Sequence, residues 1–362
     1  MSKNVEFPKG VDLLTIRPVP ELLSTQVAKF TPESLRVRVA EVFDPSLAQN
    51  ALKNHDRQEI VVIDLGGDKV VAAKFQIRAG ELRKLETLAS LQSHGGKSYL
   101  SLLEDVAADT SFNSMSVGIS MAGPIEGTKS LASVNLSNFL EEFKSKYDCD
   151  FAKLFPTLAW VSNDMVACMV AGAVEAKKQF PQASKVLLIG NGSGFGGAVL
   201  KDEKIIAIEP GHVELISDLN PYGQDKPCGL FGAKFVCSEN VAASKAGVES
   251  LWLKIKGESL NGRQISVKYM QGDPLATELY DNSAIIVAHA IKGIADVLKL
   301  FKEPNDTAIV CHGGIFNVSG YSQRIQQVLQ KDLGYSPTMV LTRNFSQNAC
   351  LEGAALAALV KP

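Results

Sequence analysis

The sequence predicts an α/β fold, on three observations. Short apolar runs rich in β-branched residues end in glycine or a small polar residue, as buried strands do. Helically spaced apolar patterns lie between those runs, and alternation of the two kinds builds α/β architectures. Two strand–glycine units, near residues 64 and 189, suggest a duplicated plan of two lobes.

Residues 1–57 read as an N-terminal extension punctuated by Pro18, Pro20 and Pro32. Thr31-Pro32-Glu33 has an N-cap followed by proline at N1, which predicts a short helix over Pro32–Val42. A second helix is predicted over Pro45–Lys53. Strands follow at Glu59–Asp64 (EIVVID), Met115–Ser120 (MSVGIS), Leu158–Val161 (LAWV), Lys185–Ile189 (KVLLI) and Thr307–Val310 (TAIV). Helices are predicted over Asp164–Phe180, over Ser283–Phe301 with one broad apolar face, and over the alanine-rich Asn348–Val360.

Composition narrows the function classes. Apolar residues make up 46% and charged residues 21%, which excludes a mostly disordered chain. The net charge of −2 gives no global pull toward nucleic acid or an anionic membrane. No apolar run approaches the ~18 residues of a membrane span, and the N-terminus has no signal-peptide core. The 6 cysteines are scattered without a CxxC pair, which reads as free thiols in a reducing, cytoplasmic compartment. Residues 1–57 lack the basic surface of a DNA-binding helix-turn-helix.

The chemistry lies at the strand ends. Asp64-Leu65-Gly66-Gly67 places an aspartate before two glycines, a pattern that holds Mg²⁺ through water while amides face phosphate. Gly192-Ser193-Gly194-Phe195-Gly196-Gly197 follows a strand and precedes another, so it is a hairpin and not a dinucleotide fingerprint. Its backbone N–H groups can still cradle phosphate. Gly95-Gly96-Lys97-Ser98 lacks the upstream glycine of a P-loop and reads as a surface loop. Asn163-Asp164 ends a strand and opens a helix, which is also the place of an N-cap. Glu209-Pro210-Gly211-His212 and Glu239 offer carboxylates and an imidazole for a polyhydroxylated ligand, with a metal-ligand reading competing for His212.

In this order the motifs resemble the glucokinase and hexokinase-like sugar kinases, especially the ROK family of repressors, open reading frames and kinases. The resemblance runs from about Glu59 to Val360. It implies the two-lobed actin-like ATPase (ribonuclease H-like) fold with a central cleft. The smaller lobe would take residues 58–175 with the C-terminal helix 346–362, and the larger lobe 176–345. Asp164 would be the general base. Asn135, Asn163, Asp164, Glu209, His212 and Glu239 would bind the sugar. Asp64, Gly66, Gly67, Gly192, Ser193, Gly194, Gly313 and Gly314 would face ATP, with Mg²⁺ carried by ATP and water-bridged to Asp64. Gly272-Asp273-Pro274-Leu275-Ala276 is similar to a helix-start block of the family.

The chain departs from the family at two places. Asp68 stands where threonine is usual in the first phosphate motif. In zinc-binding members a Gly-His pair is followed by C-x-C-G-x-x-G-C-x-E. Here Leu230 and Gly232 fall at the first two cysteines and Cys228 is two residues out of place, so no bound zinc is expected. The reading is a cytoplasmic, ATP-dependent hexose kinase acting at the 6-hydroxyl, with glucose preferred and a role in glycolysis. The alternatives are a kinase for N-acetylmannosamine, N-acetylglucosamine or fructose, or a sugar-sensing regulator without catalysis. The donor (ATP or polyphosphate) and the oligomeric state, a homodimer included, stay open.

Overall fold

The computed structural model describes residues 28–67, 69–92, 98–131, 136–215, 227–228, 235–303, 305–334 and 337–361. Asp68, Asn135, Leu230 and Gly232 lie outside them, as do Gly95, Gly96 and Lys97. In chain order the first elements are β1 (Arg38–Val42), α1 (Pro45–Asn54), β2 (Glu59–Leu65), β3 (Lys69–Arg78), β4 (Glu81–Gln92), α2 (Tyr99–Ala108) and β5 (Ser116–Met121). Then come β6 (Ile125–Glu126), β7 (Lys129–Ser130), α3 (Ser137–Tyr147), α4 (Phe151–Leu154), β8 (Leu158–Asn163) and α5 (Asp164–Gln179). The chain continues with β9 (Lys185–Asn191), β10 (Phe195–Lys201), β11 (Lys204–Ile208), α6 (Glu239–Ala242), α7 (Ser250–Lys256), α8 (Gly262–Met270) and α9 (Pro274–Leu298). It ends with β12 (Thr307–His312), α10 (Tyr321–Leu333), β13 (Met339–Leu341) and α11 (Ala349–Val360).

The duplicated plan is visible in the sheets. One runs β4-β3-β2-β5-β8 and the other β1-β11-β10-β9-β12-β13. In each, three antiparallel strands (β4-β3-β2, β11-β10-β9) continue into two parallel ones (β5 and β8, β12 and β13). Period-2 alternation then separates three cores. Ile60 and Val62 of β2 face a central core shared with Val186 and Leu188 of β9 and with α5 and α11. Val61, Ile63 and Leu65 face the opposite side, against α2 and α3. Leu187 and Ile189 face α9 and α10. Both sheets are thus buried on two sides, which is why their parallel strands read as unbroken apolar runs.

The α5–α11 pair forms the joint between the lobes. The two helices approach so closely that a Cβ at Gly353 would overlap the Ala167 carbonyl, and one at Gly118 would press on that of Ala354. Helix α5 continues past residue 175, the expected lobe boundary. The helix predicted over Pro32–Val42 does not form. Thr31 and Ser34 exchange hydrogen bonds and close a single turn, and the chain leaves it at Arg36 with φ 51°. Val37, Val39 and Val42 then favour strand, and the open edge of β11 supplies an antiparallel partner for β1. The second predicted helix is α1, capped by Asp44. Asp273 caps α9 at the helix-start block, accepting from Ala276 N at 2.9 Å.

Candidate active site

Asp64, near the end of β2, lies opposite Ser120 of β5. Ser120 Oγ donates to Asp64 Oδ1 at 2.8 Å, and Asn348 Nδ2, from the cap of α11, donates to Oδ2 at 3.4 Å. Burial pushes this carboxyl above its ordinary range, although both hydrogen bonds pull the other way. Gly66 and Gly67 then turn the chain, with Gly66 N donating to Lys69 O at 2.9 Å.

Asp164 opens α5 from the end of β8. Its neighbour Asn163 is the N-cap: Oδ1 accepts from Met165 N at 2.9 Å and Nδ2 donates to Gly123 O at 3.1 Å. That side chain therefore welds the turn at Gly123, where φ is 118°, to the start of the helix. The Asp164 carboxyl is partly exposed, and its Oδ1 accepts from Met165 N at 2.8 Å. Burial first, and then the charge of Asp64, push its pKa up to about 7. Glu209 adds to the rise; the Met165 N–H and His312 oppose it. A carboxylate poised there suits proton transfer at neutral pH.

Two glycine turns flank this pair of acids. In the β9–β10 hairpin, Gly192 N donates to Gly194 O at 2.9 Å. Met165 packs its side chain on Gly190 and Gly196, so Asp164 stands beside the hairpin. Gly313 follows β12 with φ 112°, and a Cβ there would overlap the Asn191 carbonyl oxygen. Only glycine lets the two strand ends meet so closely. Gly192 and Gly314 instead have open space where a side chain would stand, and Ser193 is exposed.

Glu209, His212 and Glu239 gather on the other flank. His212 N donates to Glu209 O at 3.2 Å across a single 3₁₀ turn. Burial raises the Glu209 carboxyl, His212, Arg38 and Arg36 oppose the rise, and Glu239 adds to it. Glu239 Oε2 accepts from Phe195 N at 3.2 Å, and a Cβ on Gly211 would come within 3.1 Å of that oxygen. Glu239 thus links the Glu209–His212 loop to the hairpin expected to face phosphate, a link that chain spacing does not reveal. Arg36 and Arg38 reach this loop from the extension, and Glu209 N donates to Leu35 O at 2.8 Å. His312, missed in the sequence, stands next to Gly313 and interacts with both Asp64 and Asp164. Its place at a strand end before two glycines was the available signal.

The donor chemistry suits some metals better than others. Two carboxylates that repel each other suit a hard cation of the Mg²⁺ kind. The sulfur and imidazole groups near His212 form a separate set. His212, Cys228 and Cys237 bring their ligand atoms within 4.8 Å of one another. His212 Nδ1 lies 3.2 Å from Cys228 Sγ, although Cys228 stands two residues out of place in the sequence. Among the described residues this set supplies three ligands, so a closed structural zinc site there would need a fourth donor.

The ROK family pattern matches residues 60–361 of the sequence. A ROK hexokinase from Thermus thermophilus shares the fold with a TM-score of 0.59 and 21% identity, over 83% of this chain and 97% of that one. A ROK family glucokinase from Streptomyces griseus, in complex with glucose and AMPPNP, aligns with a TM-score of 0.50 and 19% identity, over 82% and 98%. A ROK family transcriptional regulator, a homologue of the E. coli MLC protein, aligns with a TM-score of 0.53 and 20% identity, over 85% and 80%. A search of curated proteins finds no match. Among the described residues, no helix is long and apolar enough to cross a membrane.

Proposed function

This chain belongs to the ROK family, with its actin-like ATPase fold, and we propose that it transfers the γ-phosphoryl group of ATP to the 6-hydroxyl of a hexose, glucose being its preferred sugar. The observation that carries the proposal is the placement of Asp164. Its carboxyl, pushed up to about 7, lies within electrostatic reach of both Asp64 and Glu209. Its neighbour Met165 packs on Gly190 and Gly196 of the hairpin, which supports a place for Asp164 beside the turn proposed to receive phosphates.

The chemistry follows from those positions. Glu209, His212 and Glu239 orient the sugar by accepting and donating hydrogen bonds to its hydroxyls, as Asn135 would from the other lobe. Asp164 takes the proton of the 6-hydroxyl as its oxygen attacks the γ-phosphorus. The bond to the β-phosphate oxygen breaks, and ADP leaves. Phosphoryl transfer needs positioning and charge stabilisation more than covalent help from the protein. The open backbone at Gly192, Ser193, Gly194 and Gly314 would receive the phosphates, and Gly66 and Gly67 the far side of the same groups. Mg²⁺, when bound with ATP, would neutralise developing charge, held through water by Asp64.

The test is a coupled assay with a panel of hexoses and with ATP or polyphosphate as donor. ATP-dependent formation of a hexose 6-phosphate, lost in Asp164→Asn, is the expected result. Tight sugar binding without turnover for any sugar or donor would overturn the proposal in favour of a sugar-responsive regulator.

A further inference from the structure

Three sulfur and nitrogen donors meet behind the acidic pair, and the phosphoryl transfer uses none of them. Cys168 lies one turn beyond Asp164 on α5, Cys350 lies in the first turn of α11, and His312 ends β12. Their ligand atoms lie within 4.8 Å of one another. From this geometry we propose that Cys168, Cys350 and His312 form a binding site for a thiophilic divalent cation of the zinc class, separate from the loop cluster at His212.

A buried thiol is usually no more than a small apolar side chain, so the case rests on the arrangement. Ligands held ~2.0–2.3 Å from one tetrahedral ion lie ~3.5–3.8 Å apart. Closing the existing cluster onto an ion thus needs about 1 Å of side-chain movement. The imidazole is already oriented for it. His312 Nδ1 lies 3.1 Å from Thr342 Oγ1, which leaves Nε2 as the nitrogen for the thiols. A hydrogen bond to the far ring nitrogen is the usual outer support of a metal-ligating histidine.

The surroundings favour positive charge. Asp64 acts on both Cys350 and His312, and Asp164 acts on His312. The Asp164 backbone carbonyl, 3.6 Å from Cys350 Sγ, places an oxygen beside the cluster. Three protein ligands with a fourth place for water or an oxygen donor is an established zinc arrangement. The two thiols release their protons to solvent as the ion binds. Coordination would tie α5, α11 and β12 together at the joint between the lobes.

The site is tested with Co²⁺ as the probe, on the full chain carrying Cys228→Ser and Cys237→Ser to silence the loop cluster. The expected result is one equivalent of bound cobalt with a thiolate-to-cobalt charge-transfer band, abolished by one equivalent of Zn²⁺. Cys168→Ala and Cys350→Ala should each weaken binding by more than about a hundredfold, beyond the loss of an outer partner. Thr342→Val should weaken it by roughly tenfold, through the freed imidazole. If the silenced background does not fold, the single variants in the wild-type chain give the same readout, each losing the absorbance of one bound cobalt. Absence of the band, or a band unchanged in folded Cys168→Ala and Cys350→Ala, would overturn the proposal. The outcome is independent of whether the chain phosphorylates sugars.

Discussion

Asp164→Asn should lower activity and raise stability together. Burial and the neighbouring Asp64 push the Asp164 carboxyl up to about 7, from an ordinary value of 3.8. A rise of ~3 units, at 1.36 kcal/mol per unit, makes the ionised folded state costlier by about 4 kcal/mol above pH 7. Solvent screens a partly exposed side chain, so roughly 2–4 kcal/mol is the working range. Between pH ~4 and ~7 the folded state holds the proton more tightly than the unfolded chain, so stability falls as pH rises. Asparagine does not titrate, and its oxygen can still accept the Met165 N–H. Urea unfolding followed by the fluorescence of Trp160 and Trp252, one on each side of the joint, is the assay. The variant's gain should be about 1–3 kcal/mol larger at pH 8 than at pH 5. Its kcat should fall ~10²–10⁴-fold, the contribution of a positioned base. An equal gain at both pH values, or none, would refute the buried, proton-holding carboxyl. A variant keeping more than half of wild-type kcat would refute its role as base.

Wild-type kcat/KM for the sugar should rise with pH through about 7, as the raised Asp164 carboxyl loses its proton, and a profile flat from pH 5.5 to 8 (a range of about 1 unit or more on each side) would count against it. Glu209→Ala removes a hydroxyl partner worth ~1–3 kcal/mol, so sugar KM should rise by roughly tenfold to a hundredfold while ATP KM stays within about twofold. Glu239→Ala should raise both KM values, because it also frees Phe195 N in the hairpin; initial-rate kinetics with each substrate varied separates the two variants. Gly313→Ala should destabilise the fold by ~1–3 kcal/mol or more, whereas Gly314→Ala, with open space above it, should leave the urea midpoint unchanged and raise ATP KM. Glu41→Ala leaves the buried Trp160 Nε1 without its 2.9 Å partner and should cost ~1–3 kcal/mol, read as a lower urea midpoint.

What was legible in the sequence was whatever a short stretch of chain decides for itself. Buried parallel strands announce themselves as unbroken apolar runs. The glycine after Asp64 and the glycine after His312 mark places where backbone must stand close to something. Asn163 is readable as a cap from its own neighbourhood. The failures occurred where distant partners decide. Thr31-Pro32-Glu33 does start a turn, but the free edge of β11, from the C-terminal half of the chain, captures Arg38–Val42 as strand. No local pattern reports that Cys228 reaches His212, 16 residues earlier in the chain. Glu239 looked like a sugar ligand alone, because its bond to Phe195 N depends on how α6 docks against a hairpin 44 residues earlier.

The acidic pair also constrains how the lobes can move. Asp64 belongs to one sheet, yet its second oxygen is held by Asn348 at the cap of α11. Asp164 starts α5, whose Met165 is wedged against the hairpin glycines of the other sheet. Helices α5 and α11 touch backbone to backbone at Gly353, a contact that tolerates no added carbon and little sliding, since close-packed interiors resist small displacements. The distance between Asp64 and Asp164 is therefore set by the joint itself. Under the proposed function, closure around a sugar would then fall to the Glu209 loop, which the extension holds through Leu35. Under the proposed function, a closing motion of that kind would bring the Glu209 loop and the glycine turns toward a pre-set pair of carboxylates, keeping the proposed base aligned with the phosphoryl group.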